Sequence, residues 1–274
     1  MNGLETQAVS DTSWQVTLAE NKIKAFGQGE EVLKIIATDT AGNSTEGTKT
    51  ISIDTLAPKV AVINKVAVDN IINASESKSG VTITGTKEAG SKVTLNGLAT
   101  QAVSDTSWKV TLTENKIKAF EQGEEKLKII ATDAAGNITN SNHAITIDTL
   151  APSAATVHKI ATDNIIDSTE SKAGVTISGS HGKGETVTVN GMATQAVSAT
   201  EWNLTLTEDQ ILALGQGEKN LQIATTDAAG NITHSTQTMT VDTLSHLKVS
   251  ASASDAINKI HLTVSNGSST LEGG

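Results

Sequence analysis

The segment ATDAAGN at residues 131–137 returns as TTDAAGN at 225–231 and as ATDTAGN at 37–43, 94 residues apart each time. Trp14, Trp108 and Trp202 keep the same step, as do Asp54, Asp148 and Asp242, so the register never slips. From Asn2 to Pro58, 44 of 57 residues are identical to those from Asn96 to Pro152, which makes the stretches copies of one module. The repeat divides the chain into a partial module at 1–58, full modules at 59–152 and 153–244, and a stretch at 245–274 that drops the pattern. The first copy lacks the 37 positions equivalent to 59–95 and reads as cut mid-module, a fragment of a longer protein. Residues 1–58 alone should therefore leave half a core uncovered. In the last stretch KIHLTV alternates like a strand, which leaves a divergent tail or the opening of a further module, and the closing LEGG reads as a cloning remnant.

Within a module the apolar period is two. SWKVTLT places Trp108, Val110 and Leu112 on one face and Ser107, Lys109 and Thr111 on the other, the pattern of a half-buried strand. GVTITGT from Gly80, KVTLNG from Lys92, KLKIIATD from Lys126 and HAITID from His143 behave alike, all short and rich in β-branched residues. The single helical piece is TENKIKAFEQG, with Thr113 at the N-cap and Gly123 at the C-cap. SGSHGKGET reads as a Gly-rich hairpin. Roughly seven strands per module predict an all-β fold, tandem immunoglobulin-like antiparallel sandwiches. An odd strand number puts the two ends of a module at opposite poles, so the modules would stack end to end in a rod. The short joint DTLAP, stiffened by its proline, would hold neighbours close.

Composition narrows the function classes. The formal charge is −10, which supplies no basic footprint for nucleic acid. Cysteine is absent, so disulfides, thiolate metal sites and a Cys nucleophile are excluded. No apolar run reaches the roughly 20 residues of a membrane helix, and MNGLETQAVS is not a signal pattern, so any secretion address lies elsewhere. The six His residues never share a repeat position: His143 matches Lys49 and His234 matches Asn140. No GxSxG, HExxH or phosphate-binding glycine loop occurs, and the chain is read as no enzyme. The three Trp residues are in phase with inward Val and Leu, so each is read as a core tryptophan.

The acidic residues are arranged in relation to the joints. If strands alternate in direction, the DAAGN loop joins the last two strands at one pole, and Asp148 ends the last strand at the other. The connections VDNIINASES and TDNIIDSTES repeat oxygens at Asp69, Asn73 and Glu76, and at Asp163, Asp167 and Glu170. At the second joint this brings Asp69, Asn73, Glu76 and Asp148 towards Asp227 and Asn231. Carboxylates at such range repel unless a cation intervenes, and carboxylate, amide and carbonyl oxygens suit Ca²⁺, which takes six to eight oxygen ligands. Two readings of Asp133 with Asn137 and Asp227 with Asn231 stay open: a turn only, since Asp and Asn form turns by themselves, or a turn that also ligates. A loop that merely turns does not require a Glu at a fixed place, which favours ligation at Asp69, Asn73 and Glu76.

The set DNIINASES, GVTITGT, KVTLNG, SWKVTLT, IIATDAAGN and ITIDTLAP resembles the bacterial immunoglobulin-like repeats of giant non-fimbrial adhesins exported by type I secretion, closest to the SiiE type with the BapA type behind it. The resemblance covers about residues 1–244. It implies a secreted or surface-displayed bacterial adhesin whose modules form a calcium-stiffened stalk. Its partners would be neighbouring modules and, through a distal part, a host cell surface or glycan. It further implies metal ligands at Asp69, Asp148, Asp163, Asp227 and Asp242, with Asp39, Asp54 and Asp133 as their repeats. The alternative is a glycan- or matrix-binding module that contacts its receptor directly.

Overall fold

The computed structural model describes residues 2, 4–244, 247–254, 259–266 and 269–273. Contact groups the backbone into two compact units, one formed by Met1–Asn70, Gly80–Lys116 and Glu124–Thr146, the other by Ile71–Ser79, Ile117–Gly123 and Ile147–Gly274.

The second unit holds a complete two-layer sandwich. One sheet runs in the order Thr156–Val157, Val175–Ser180, Glu201–Leu206, Gln195–Ala196, and the other Ile165–Asp167, Ile232–Asp242, Gly217–Thr226, Thr186–Val189, Met192–Ala193. The period-two pattern produces these layers: Val175 and Ile177 are buried and Thr176 is exposed, and Leu221, Ile223 and Thr225 are buried while Gln222 faces out. Trp202, 1% exposed, belongs to the same buried core as Ile177, Val189 and Leu221. Its register partner is Gly179, where a Cβ would run into the indole and the Thr156 carbonyl. The glycine of VTISGS is thus the seat of the tryptophan. Each fully buried side chain of this size contributes about 1.5–3 kcal/mol, and together they make an all-β immunoglobulin-type sandwich.

Three local expectations are corrected in this unit. The sheets are not wholly antiparallel, because Ile165–Asp167 pairs in parallel with Ile232–Asp242. TDNIIDSTES is not a loop but that short strand followed by a helix, Ser168–Ala173, so each full module has a second helical piece. SGSHGKGET is not a hairpin: Val175–Ser180 and Thr186–Val189 belong to different sheets, and the turn carries the chain from one layer to the other.

The first unit repeats the design. Val62–Ile63, Val81–Thr86, Ser107–Leu112 and Gln101–Ser104 form one sheet, and Gly123–Thr132 pairs with Lys92–Leu95, which pairs with Leu98–Ala99. Trp108, 1% exposed, lies against Gly85 as Trp202 lies against Gly179. The first copy contributes two hairpins, Gln7–Ser10 with Ser13–Gln15 and Gly29–Thr38 with Ser44–Ile53. Trp14 is 46% exposed there, and Val32 and Ile36 are exposed too. It is therefore not a core tryptophan, because residues 1–58 contain no counterpart of the VTITGT strand that seats Trp108.

The helix after Thr113 is also shorter than expected, Glu114–Ile117, and Gly123 opens the next strand instead of capping it. The repeats explain this. Glu20–Phe26 ends at Gly27 and Glu208–Leu214 at Gly215, with φ 85° and 76°, whereas the equivalent position here is Glu121. A left-handed C-cap suits glycine and not glutamate.

In the last stretch Leu247–Ser254, Lys259–Asn266 and Ser269–Gly273 form a three-stranded sheet, so KIHLTV is a strand. Ser245, His246 and Gly274 lie outside the described residues. No helix among the described residues is long and apolar enough to cross a membrane.

Candidate functional site

The DAAGN loop joins the last two strands of the module, Gly217–Thr226 and Ile232–Asp242. It is built around its aspartate. Asp227 Oδ1 accepts the Ala229 and Asn231 amides at 2.9 Å each, and Oδ2 accepts Asn231 Nδ2 at 2.9 Å. The Asp39 loop repeats the three bonds, and Asp133 takes the Gly136 and Asn137 amides and Asn137 Nδ2. The Asn43 side-chain amide, with backbone N–H groups, holds Asp39 below its ordinary 3.8, and Asn137 does the same for Asp133. The short side chains of Asp and Asn make this turn without outside help.

The asparagine then reaches beyond its own loop. In the second unit Asn231 Nδ2 donates to the Asp148 carbonyl oxygen at 2.9 Å and to Asp148 Oδ1 at 3.4 Å, while Asn231 Oδ1 accepts the Ala74 amide at 2.8 Å. Asn73 Nδ2 donates to the Ala229 carbonyl at 3.1 Å, and Thr233 Oγ1 donates to the Pro152 carbonyl. Asn231 is 4% exposed. In the first unit Asn137 Nδ2 donates to the Asp54 carbonyl at 3.0 Å, and Thr139 Oγ1 to the Pro58 carbonyl. The start of the joint is clamped as well: Gln28, Gln122 and Gln216 each bond the amide and the hydroxyl of Thr55, Thr149 and Thr243. Sequence reading missed Ala74, both joint threonines and the Gln–Thr clamps, although identity at 45, 139 and 233, and at 28, 122 and 216, marks them.

The glutamates have a local task. Asp167 caps helix Ser168–Ala173, taking the Thr169 and Glu170 amides, and Glu170 Oε2 accepts the Asp167 amide at 3.0 Å. Asn73 and Glu76 form the same reciprocal pair at Ala74–Ser79. A capping box uses a Glu three residues after its cap, so the fixed Glu76 and Glu170 have a local role in the helix starts. Asp163 Oδ1 accepts the Ile165 amide, and Asp54 Oδ1 the Leu56 amide. Asp167 and Asp242 are Cα partners in the parallel pair. Before Asp69 and Asp163 stand Val68 and Thr162 at φ 67° and 61°, β-branched residues in the left-handed region in both copies.

Calcium takes oxygen ligands, and the donors here are of that class. Among the described residues, however, no three His, Cys, Asp or Glu side chains converge as a metal-holding group. At the joint of the second unit the Asp148, Asp227 and Asn231 oxygens accept protein N–H groups.

No family model matches the chain, and no curated protein matches it. Among solved structures it is similar to a 1.5-MDa bacterial ice-binding adhesin studied for host cell surface retention, at 24% identity over 86% of this chain and 82% of that one, with a TM-score of 0.44. It is similar to a Ca²⁺-stabilised adhesin with which an Antarctic bacterium binds ice, at 24% identity over 88% and 66% of the chains and a TM-score of 0.46. A bacterial immunoglobulin-like domain of the M. primoryensis ice-binding adhesin matches over 34% of this chain and all of its own length, at 25% identity and a TM-score of 0.26.

Proposed function

We propose that this chain is a stalk segment of a bacterial surface adhesin, secreted and displayed outside the cell, with modules at 59–152 and 153–244 acting as spacers for a distal adhesive part. The observation that carries the reading is the repeated joint. The loop asparagine and the threonine after it tie back to the Asp and Pro carbonyls of the preceding linker in both units. A linker whose carbonyls are hydrogen-bonded resists bending, and stiffness is what a spacer contributes. Small-angle scattering and single-molecule extension of the chain test it: a narrow range of interdomain angles is expected, and a freely jointed profile would reject it. Saturable binding of this segment alone to a glycan array or to host cells would favour the direct-binding alternative.

A second reading, that calcium adds stiffness, is favoured at Asp167 and Asp242, which the parallel register sets beside each other. It assigns the ion to hard oxygens at that pole. Calorimetric titration tests it, and no heat at millimolar calcium counts against it.

A further inference from the structure

The joint in the second unit combines a buried carboxamide with the oxygens that would otherwise need a cation. Asn231 Nδ2 faces the Asp148 carbonyl, Asp148 Oδ1 and Asp227 Oδ2 at 2.9, 3.4 and 2.9 Å, and its Oδ1 receives the Ala74 amide at 2.8 Å. The orientation is fixed at both ends. Turning the amide over would set an oxygen against three acceptors and two N–H groups against an N–H. Nδ2 therefore brings its partial positive charge to the point where two carboxylate-bearing residues meet. Asn137 repeats the arrangement between the Asp54 carbonyl and Asp133 Oδ2.

We infer that Asn231 is a metal-independent latch, its carboxamide doing for Asp148 and Asp227 what a divalent cation would do in a joint lined by carboxylates alone. The inference deepens the stalk reading and rests on it. The latch acts through one atom, so replacing that NH₂ with an oxygen turns the joint into one that requires an ion. Asn231→Asp sets a third carboxylate beside Asp148 and Asp227, a hard-oxygen set with charge enough for calcium.

Hydrogen exchange of the Ala74 amide in the whole chain reads the latch. In the native protein the Ala74 amide is protected equally in millimolar calcium and in chelator. Asn231→Ala speeds its exchange by about tenfold in both conditions, as expected for one lost hydrogen bond, while the Ile223 amide keeps its protection and reports an intact sandwich. Asn231→Asp exchanges fast in chelator and slowly in calcium. Native protection that rises with calcium overturns the inference, and so does an Asn231→Asp variant that ignores calcium. A failed stalk reading shows separately, as a freely jointed scattering profile with the Ala74 pattern unchanged.

Discussion

The joint loop occurs in three settings, and the first unit differs from the second in what precedes it. In the Asp39 loop both Ala41 and Asn43 are exposed. The Asp133 loop follows the partial copy, and Asn137 is half-buried with Ala135 exposed. The Asp227 loop follows a complete repeat that carries the capped helix Ala74–Ser79, and both Ala229 and Asn231 are buried. The internal bonds of aspartate to asparagine are the same in all three. The turn therefore forms from its own five residues, and the neighbour's contribution is burial plus the bonds to Ala74 and Asn73.

The largest test of this contrast is at the tryptophans. Trp202→Ala empties the centre of a closed core and should cost about 3–5 kcal/mol, whereas Trp14→Ala removes a side chain already 46% exposed and should cost well under half as much, as separate denaturant titrations of the two variants would show. Equal costs would mean that the first copy has a closed core after all.

Next come the joints themselves. Asn231→Ala leaves buried partners without bonds and should cost about 2–3 kcal/mol, with Asn137→Ala nearer 1, because Asn137 is half-buried and makes no bond to a helix cap. Differential scanning calorimetry compares the two, and a larger loss at Asn137 would break the comparison.

A smaller effect lies at the helix ends. Gly215→Ala forces a left-handed position and should cost about 1 kcal/mol, while Glu121→Gly should lengthen the middle helix beyond Glu114–Ile117, visible as added amide protection at Lys118–Phe120.

The smallest effect is in acid. Asp39 and Asp133 are held below 3.8, so the stability they contribute is complete above that value and is lost as pH falls through their lower folded values. NMR titration of the Asn43 and Asn137 side-chain amides should show loop opening only below about pH 4, and opening near neutrality would contradict the bonding described.

Much of the fold was legible because a repeat makes every inference testable against its copies. The strands at Gly80, Lys92, Ser107, Lys126 and His143 follow from period two and β-branched composition, and all form. The helix after residue 167 was not legible as such, since six residues carry too little periodicity, but Asp167 and Glu170 at cap spacing announced its start. The parallel pairing of Ile165–Asp167 with Ile232–Asp242 joins residues 75 positions apart, as in Ile165 with Thr240, and no local pattern encodes it. At the site, the aspartates and asparagines of the loop were identified, with a turn alone and a turn that also ligates as the two open readings, while the bond from each asparagine side chain to its aspartate came only from the structure. The partner of Asn231 in the helix cap was missed, because Ala74 contributes only a backbone N–H, which every residue but proline has.

By itself the sequence determined the module, its period, its alternating strands and the self-made turn, because these depend on side chains within a few residues of one another. Only the tertiary structure decided that Asn231 closes on Asp148 and Ala74, and that the same tryptophan is buried in two copies and half-exposed in the third. The reason is that a buried contact needs two surfaces, and the chain's local chemistry specifies only one of them.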